Sequence, residues 1–329
     1  MKKKLLCFMI SLMILLGCSA CGEKGGNETE KDHPLRITAA IFPAWDWTKN
    51  ILGENPADAE LTLLLDNGVD LHSYQPSVED ILTISTSDLF IYVGGESDQW
   101  VTDVLKQAKN PELHVVRMLD AIGEAAREEE LKDGMQAGPD EEAGESEYDE
   151  HVWLSLRNAS VICEAIAAEL AALDPSHAAV YQTNARSYRE KLEELDEAYR
   201  QTVSESPLKT LLFGDRFPFR YLTEDYGLDY YAAFSGCSAE TEASFETVTF
   251  LAQKCTELSL PAVLTIDGTD QKIAETIVRN TRGITPQILT LDSMQSVSSK
   301  DIENGTAYLS VMEKDLEVLK QALQPEENQ

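Results

Sequence analysis

Five histidines serve 329 residues, and two of the five stand where a side chain can coordinate. His72 lies in the stretch Asp66–Asp80. There Leu61 to Leu65 reads as a buried strand, Gly68 as a turn, and Pro76-Ser77-Val78-Glu79-Asp80 as the opening of a helix. A histidine at the carboxyl end of a strand occupies the crevice where open α/β sheets place their ligands. His151 follows Asp149-Glu150 and precedes the apolar run Val152-Trp153-Leu154. His33, His114 and His177 fall in a polar leader, an apolar strand and a helix start, and read as solvated or structural. No P-loop, GxGxxG, GxSxG or HExxH is present, which argues against the common nucleotide, hydrolase and zincin chemistries.

Elements of two kinds must position these loops. From Leu35 onward, apolar strands alternate with helices, the pattern of parallel, doubly wound sheets. Strands are expected at 35–42, 59–65, 89–93 and 113–116, and again at 208–213, 228–234, 262–266 and 287–291. Between the two sets, 176–204 reads as one long charged helix, with Tyr181, Tyr188, Leu192, Leu195 and Tyr199 at helical spacing. The expected fold is therefore α/β, two lobes joined by a long rigid helix. The divisions are 35–173 for the first lobe, 174–204 for the connector and 205–329 for the second. Residues 123–150 are dense in Glu and Asp and nearly devoid of large apolar side chains, so they read as a mobile acidic insertion.

A formal net charge of -31 leaves nothing basic to displace counterions from phosphates, and excludes nucleic acid as a partner. The first 21 residues read as an export signal. Lys2-Lys3-Lys4 is followed by an apolar run too short to span a membrane comfortably. Gly22 onward to residue 34 is a flexible tether. Cys163, Cys237 and Cys255 have no CxxC spacing, so they make neither a zinc ribbon nor a disulfide framework. A Cys237–Cys255 pair is allowed by the compartment alone.

Leu15-Leu16-Gly17-Cys18 resembles the bacterial lipobox, with Cys18 as the lipidated residue and Cys21 as the alternative. Together with Gly68-Val-Asp-Leu-His72-Ser-Tyr-Gln-Pro76 and His151-Val-Trp-Leu, the chain resembles the lipoprotein solute-binding subunits of zinc and manganese ABC importers. That resemblance covers Arg36 to about Leu323. It implies that His72 and His151 are metal ligands, although Leu71 and Glu150 stand where the family usually has Pro. The family's third ligand falls in Phe213-Gly-Asp215-Arg216-Phe-Pro-Phe-Arg-Tyr221. An ungapped count puts Arg216 there, which cannot coordinate a cation, and one inserted residue puts Asp215 there. Asp215 is the expectation, with Cys237 and the Glu240/Glu242 loop open in its place. Asp292 matches the family's fourth ligand, with Asp267 as its rival.

Two imidazoles and two carboxylates would neutralise a divalent ion in a water-poor cleft. Such a set suits Zn, Mn or Fe(II), and the absence of thiolate disfavours Cu(I). The resemblance thus implies a non-enzymatic receptor, lipid-anchored outside the bacterial cell membrane. It would be a monomer that carries Zn(II), with Mn(II) next, to an ABC permease. A metal-dependent hydrolase and an adhesive or structural lipoprotein with a structural metal are the competing classes.

Overall fold

The computed structural model describes residues 34–55, 57–137, 147–238 and 242–324. The export signal, Cys18, Cys21, the tether with His33, the middle of the acidic segment and Glu240 lie outside these residues.

Two four-stranded sheets, both entirely parallel, carry the fold. In the first, β1 (Arg36–Ala39), β2 (Glu60–Leu63), β3 (Leu89–Tyr92) and β4 (His114–Arg117) lie in the order β2-β1-β3-β4. In the second, β5 (Thr210–Phe217), β6 (Asp229–Ser235), β7 (Ala262–Ile266) and β8 (Gln287–Leu291) lie in the order β6-β5-β7-β8. Helices follow the strands as a parallel sheet requires. They are α1 (Phe42–Leu52), α2 (Val78–Thr86), α3 (Val101–Lys106) and α4 (Met118–Ile122) in the first half. Next come α5 (Leu156–Leu173) and α6 (Ala178–Glu205), then α7 (Arg220–Tyr226), α8 (Phe245–Leu258), α9 (Lys272–Asn280), α10 (Ser299–Glu303) and α11 (Tyr308–Ala322). The α/β expectation, with two parallel-sheet lobes and a long helix between them, holds.

Helix α6 runs 28 residues, about 42 Å at the α-helical rise. Its buried residues, Tyr181, Ala185, Tyr188, Leu192, Leu195, Tyr199 and Val203, recur every three or four positions and form one stripe. Tyr188 Oη donates to Asp46 on α1, and Tyr199 Oη donates to the Met312 carbonyl on α11, so the helix is tied to both halves. One continuous apolar core includes Ile37 and Leu89 of the first sheet with Phe213 and Leu264 of the second. A smaller core around Leu212, Leu251 and Val263 fills the far side of the second sheet.

Three local expectations change. The strand before His72 is an edge strand, so only its Leu63 to Leu65 end is buried. Strand β5 continues past the expected end at Phe213 through Phe217, with a register irregularity between Phe213 and Arg216. Finally, the described part of the acidic segment is not loose. Glu129 N donates to the Glu147 carbonyl, Gln136 N donates to the Ala233 carbonyl on β6, and Lys132 pairs with Asp229 at 2.5 Å. Hydrogen bonds to an existing strand order a segment whose own side chains bury little.

Gly214 sits in β5 directly against α9, where an added Cβ would lie 2.6 Å from Ala274 Cα. Backbone cannot yield as a flexible side chain can. Gly214→Ala should cost about 1–3 kcal/mol in denaturant unfolding, as overpacking does. An unchanged unfolding midpoint would contradict this packing.

Candidate metal centre

The loops after β2, β3, β6, β7 and β8 converge at the carboxyl ends of the strands. Asp70 caps the short helical turn Leu71–Ser73, its Oδ1 accepting from His72 N at 2.9 Å, and this fixes the His72 backbone. His151 is fixed the same way by Asp149, whose Oδ1 accepts from the His151 amide at 2.8 Å. The stretch around it is clamped from the second half of the chain. Tyr221 Oη donates to the Asp149 carbonyl, and Trp153 Nε1 donates to the Ser293 carbonyl.

The two rings meet with Nε2 to Nε2 3.1 Å apart. Each Nδ1 already has a partner. That of His151 lies 3.0 Å from Asp149 Oδ1. That of His72 lies 2.9 Å from Ser97 Oγ and 3.4 Å from Glu150 Oε2. Both rings are thus held from behind at Nδ1, and their Nε2 atoms face each other where a single ion could take both. Carboxylates behind imidazoles are the arrangement that orients histidine on a metal. Two nitrogens on a tetrahedral Zn(II), each at 2.0–2.1 Å, stand about 3.3 Å apart, close to the separation seen here.

Electrostatics agree. Burial, then the neighbouring His151 charge, lowers the His72 pKa to about 3, so His72 stays neutral. Burial works against charge on His151 as well, but Asp149 with Glu129 and Glu150 outweighs it and raises its pKa. Burial raises Glu129 and Glu150 to about 7 each, with the Asp149 charge adding to the effect on Glu129. Asp149 Oδ2 and Glu150 Oε2 are buried without a hydrogen-bond partner.

Among the described residues, two groups could hold an ion here, His72 with His151 and Cys237, and Glu129 with Asp149 and His151. Asp215 and Asp292 are in neither. The Asp215 carboxylate accepts from Thr269 Oγ1 at 2.7 Å and from the Arg216 and Ile266 amides. Alternation along β5 sends the next side chain, Arg216, to Asp70 instead, with Nη2 2.6 Å from Oδ2. Asp292 accepts from the Met294 amide, and burial followed by the charge of Asp267 raises its pKa to about 6. Asp267 binds Ser293 and Ser296 and so shapes the loop after β8. That loop presents Gln295, whose Oε1 is 3.2 Å from His151 Nε2. His114 and His177 are taken up by Glu169 and Asp174.

The family model described as "ZnuA: Zinc-uptake complex component A periplasmic" matches residues 37–322. The chain belongs to the ZnuA family. It is 29% identical over 321 residues to the zinc-binding lipoprotein AdcA of Streptococcus pneumoniae, covering 96% of this chain and 61% of AdcA. The chain thus spans less than two thirds of that relative. It is 26% identical to the high-affinity zinc uptake system protein ZnuA of Bacillus subtilis, covering 96% of both. The Zn(II)-bound ZnuA-like domain of Streptococcus pneumoniae AdcA superposes with a TM-score of 0.69 at 28% identity, covering 88% of this chain and 99% of that domain.

Sequence reasoning toward a ZnuA-type site missed Glu129, Ser97 and Gln295. Glu129 was hidden in a run of acids, and Gln295 lies three residues beyond the Asp292 that drew attention. Asp149 had a readable cue, a carboxylate two residues before a loop His.

The raised carboxylates and His151 fix the sign of the pH dependence. Each binds a proton in the folded chain that the unfolded chain releases at lower pH, so their contribution to stability falls as pH rises. His72 acts in the opposite sense, but only below its ordinary value of 6.5. Chelator-stripped protein should gain on the order of 1 kcal/mol between about pH 8 and pH 6.5. Thermal melts at the two pH values check this. Equal or greater stability at the higher pH would contradict it.

Proposed function

We propose that the chain is an extracytoplasmic receptor that captures Zn(II) between His72 and His151 and hands it to an ABC permease. The observation that carries the reading is the facing pair of buried Nε2 atoms, 3.1 Å apart, each ring braced from behind. Family membership and the zinc-binding relatives support zinc as the cargo, with Mn(II) as the next candidate.

The chain acts as a binder, not a catalyst. Its imidazoles are buried, and its nearby carboxylates are occupied with fixing loops. Cys18 carries the lipid that tethers a monomeric receptor to the outer face of the membrane. Among the described residues, no helix is long and apolar enough to cross a membrane.

Titrating Zn(II) into the metal-stripped chain and following the melt tests the reading. At about 100 times the dissociation constant, zinc should add about 2.7 kcal/mol of stability. That gain should vanish in His72→Ala and in His151→Ala. Asp215→Ala should keep it, because the carboxylate is committed to Thr269 and the Ile266 amide. No shift in the unaltered chain would remove the receptor reading. Loss of the shift in Asp215→Ala would restore Asp215 as a ligand.

A further inference from the structure

We propose that Cys237 is the third ligand of the cargo site, so that His72, His151 and a thiolate close on the ion together. The proposal rests on the receptor reading and names the chemistry of its site. The ligand atoms of the three residues all lie within 4.8 Å of one another. Nitrogen and sulfur on a tetrahedral Zn(II) stand about 3.6 Å apart, so the thiol has to move by about 1 Å at most. Cys237 is a free cysteine, as are Cys163 and Cys255, so no disulfide withholds its sulfur.

The loop that carries Cys237 is pressed onto the histidine pair. A Cβ on Gly236 would lie 3.0 Å from His151 Cε1 and 2.9 Å from the Phe217 carbonyl. Only glycine lets the loop after β6 come this close. The Cys237 amide donates to Glu129 Oε1 at 3.0 Å, which anchors the loop to the ordered part of the acidic segment. Asp215 belongs to neither group of residues that could hold an ion here, whereas Cys237 belongs to one.

Charge points the same way. Asp149 Oδ2 and Glu150 Oε2 are buried without a hydrogen bond beside His151 and His72, and such oxygens call for positive charge. A divalent ion with one thiolate keeps one positive charge, which a single flanking carboxylate cancels. A coordinated ion deprotonates a thiol outright. Thiolate with imidazole selects Zn(II) over Mn(II).

Cobalt(II) reports sulfur directly. Adding Co(II) to the reduced, metal-stripped full chain should produce a thiolate-to-cobalt charge-transfer absorption. It should persist in Cys163→Ser and Cys255→Ser and disappear in Cys237→Ser, which should still bind Co(II) through its histidines. Zn(II) affinity in Cys237→Ser should fall by at least the roughly 10–100-fold that follows loss of a residue bracing a ligand, while Mn(II) binding changes little. Bound Co(II) without the absorption in the unaltered chain, or the absorption surviving in Cys237→Ser, would overturn the Cys237 proposal and leave the receptor reading standing. Failure of the unaltered chain to bind either metal would overturn both.

Discussion

Two buried imidazole nitrogens held 3.1 Å apart form the constraint on which the rest depends. At that separation the two nitrogens share either a hydrogen-bonding proton or a metal ion. Around the pair, Asp149, Ser97 and Glu150 fix which nitrogen of each ring is free, and Asp70 fixes the backbone that carries His72. A surplus of buried carboxylate then sets the preference for a cation. The histidines alone would be a poor trap. With their braces they are preorganised, and binding does not have to order them.

The scaffold explains how such a trap is kept. His72 comes from the loop after β2, His151 from the approach to α5, Cys237 from the loop after β6 and Gln295 from the loop after β8. A shared core runs through both sheets, and α6 is fastened to α1 and to α11. That shared core ties the two sheets to each other as well as to the helices. The Asp70–Arg216 pair crosses between the halves beside His72. Part of the acidic segment is strapped onto β6, and through Glu129 it reaches the same site.

Much of this was legible in the sequence, for reasons tied to particular residues. Strands alternating with helices gave the two parallel sheets, and the 3–4 spacing of Tyr181 through Tyr199 gave the long helix. His72 and His151 stood out because each is a lone histidine at a strand or helix boundary. The surroundings of Asp215 and Asp292 were not legible. Which way Asp215 points depends on a register irregularity in β5, and a single residue's shift exchanges it with Arg216. The acidic segment looked mobile because its composition buries little. Its described part is held by Gln136 N donating to the Ala233 carbonyl of β6 and by the Lys132–Asp229 pair, which no local pattern reports.

The most direct measurement of the central claim is X-ray absorption at the zinc edge on the loaded, full-length protein. The account predicts two imidazole ligands, with nitrogen at about 2.0–2.1 Å, and one sulfur at about 2.3 Å. A zinc environment without paired imidazoles would contradict it.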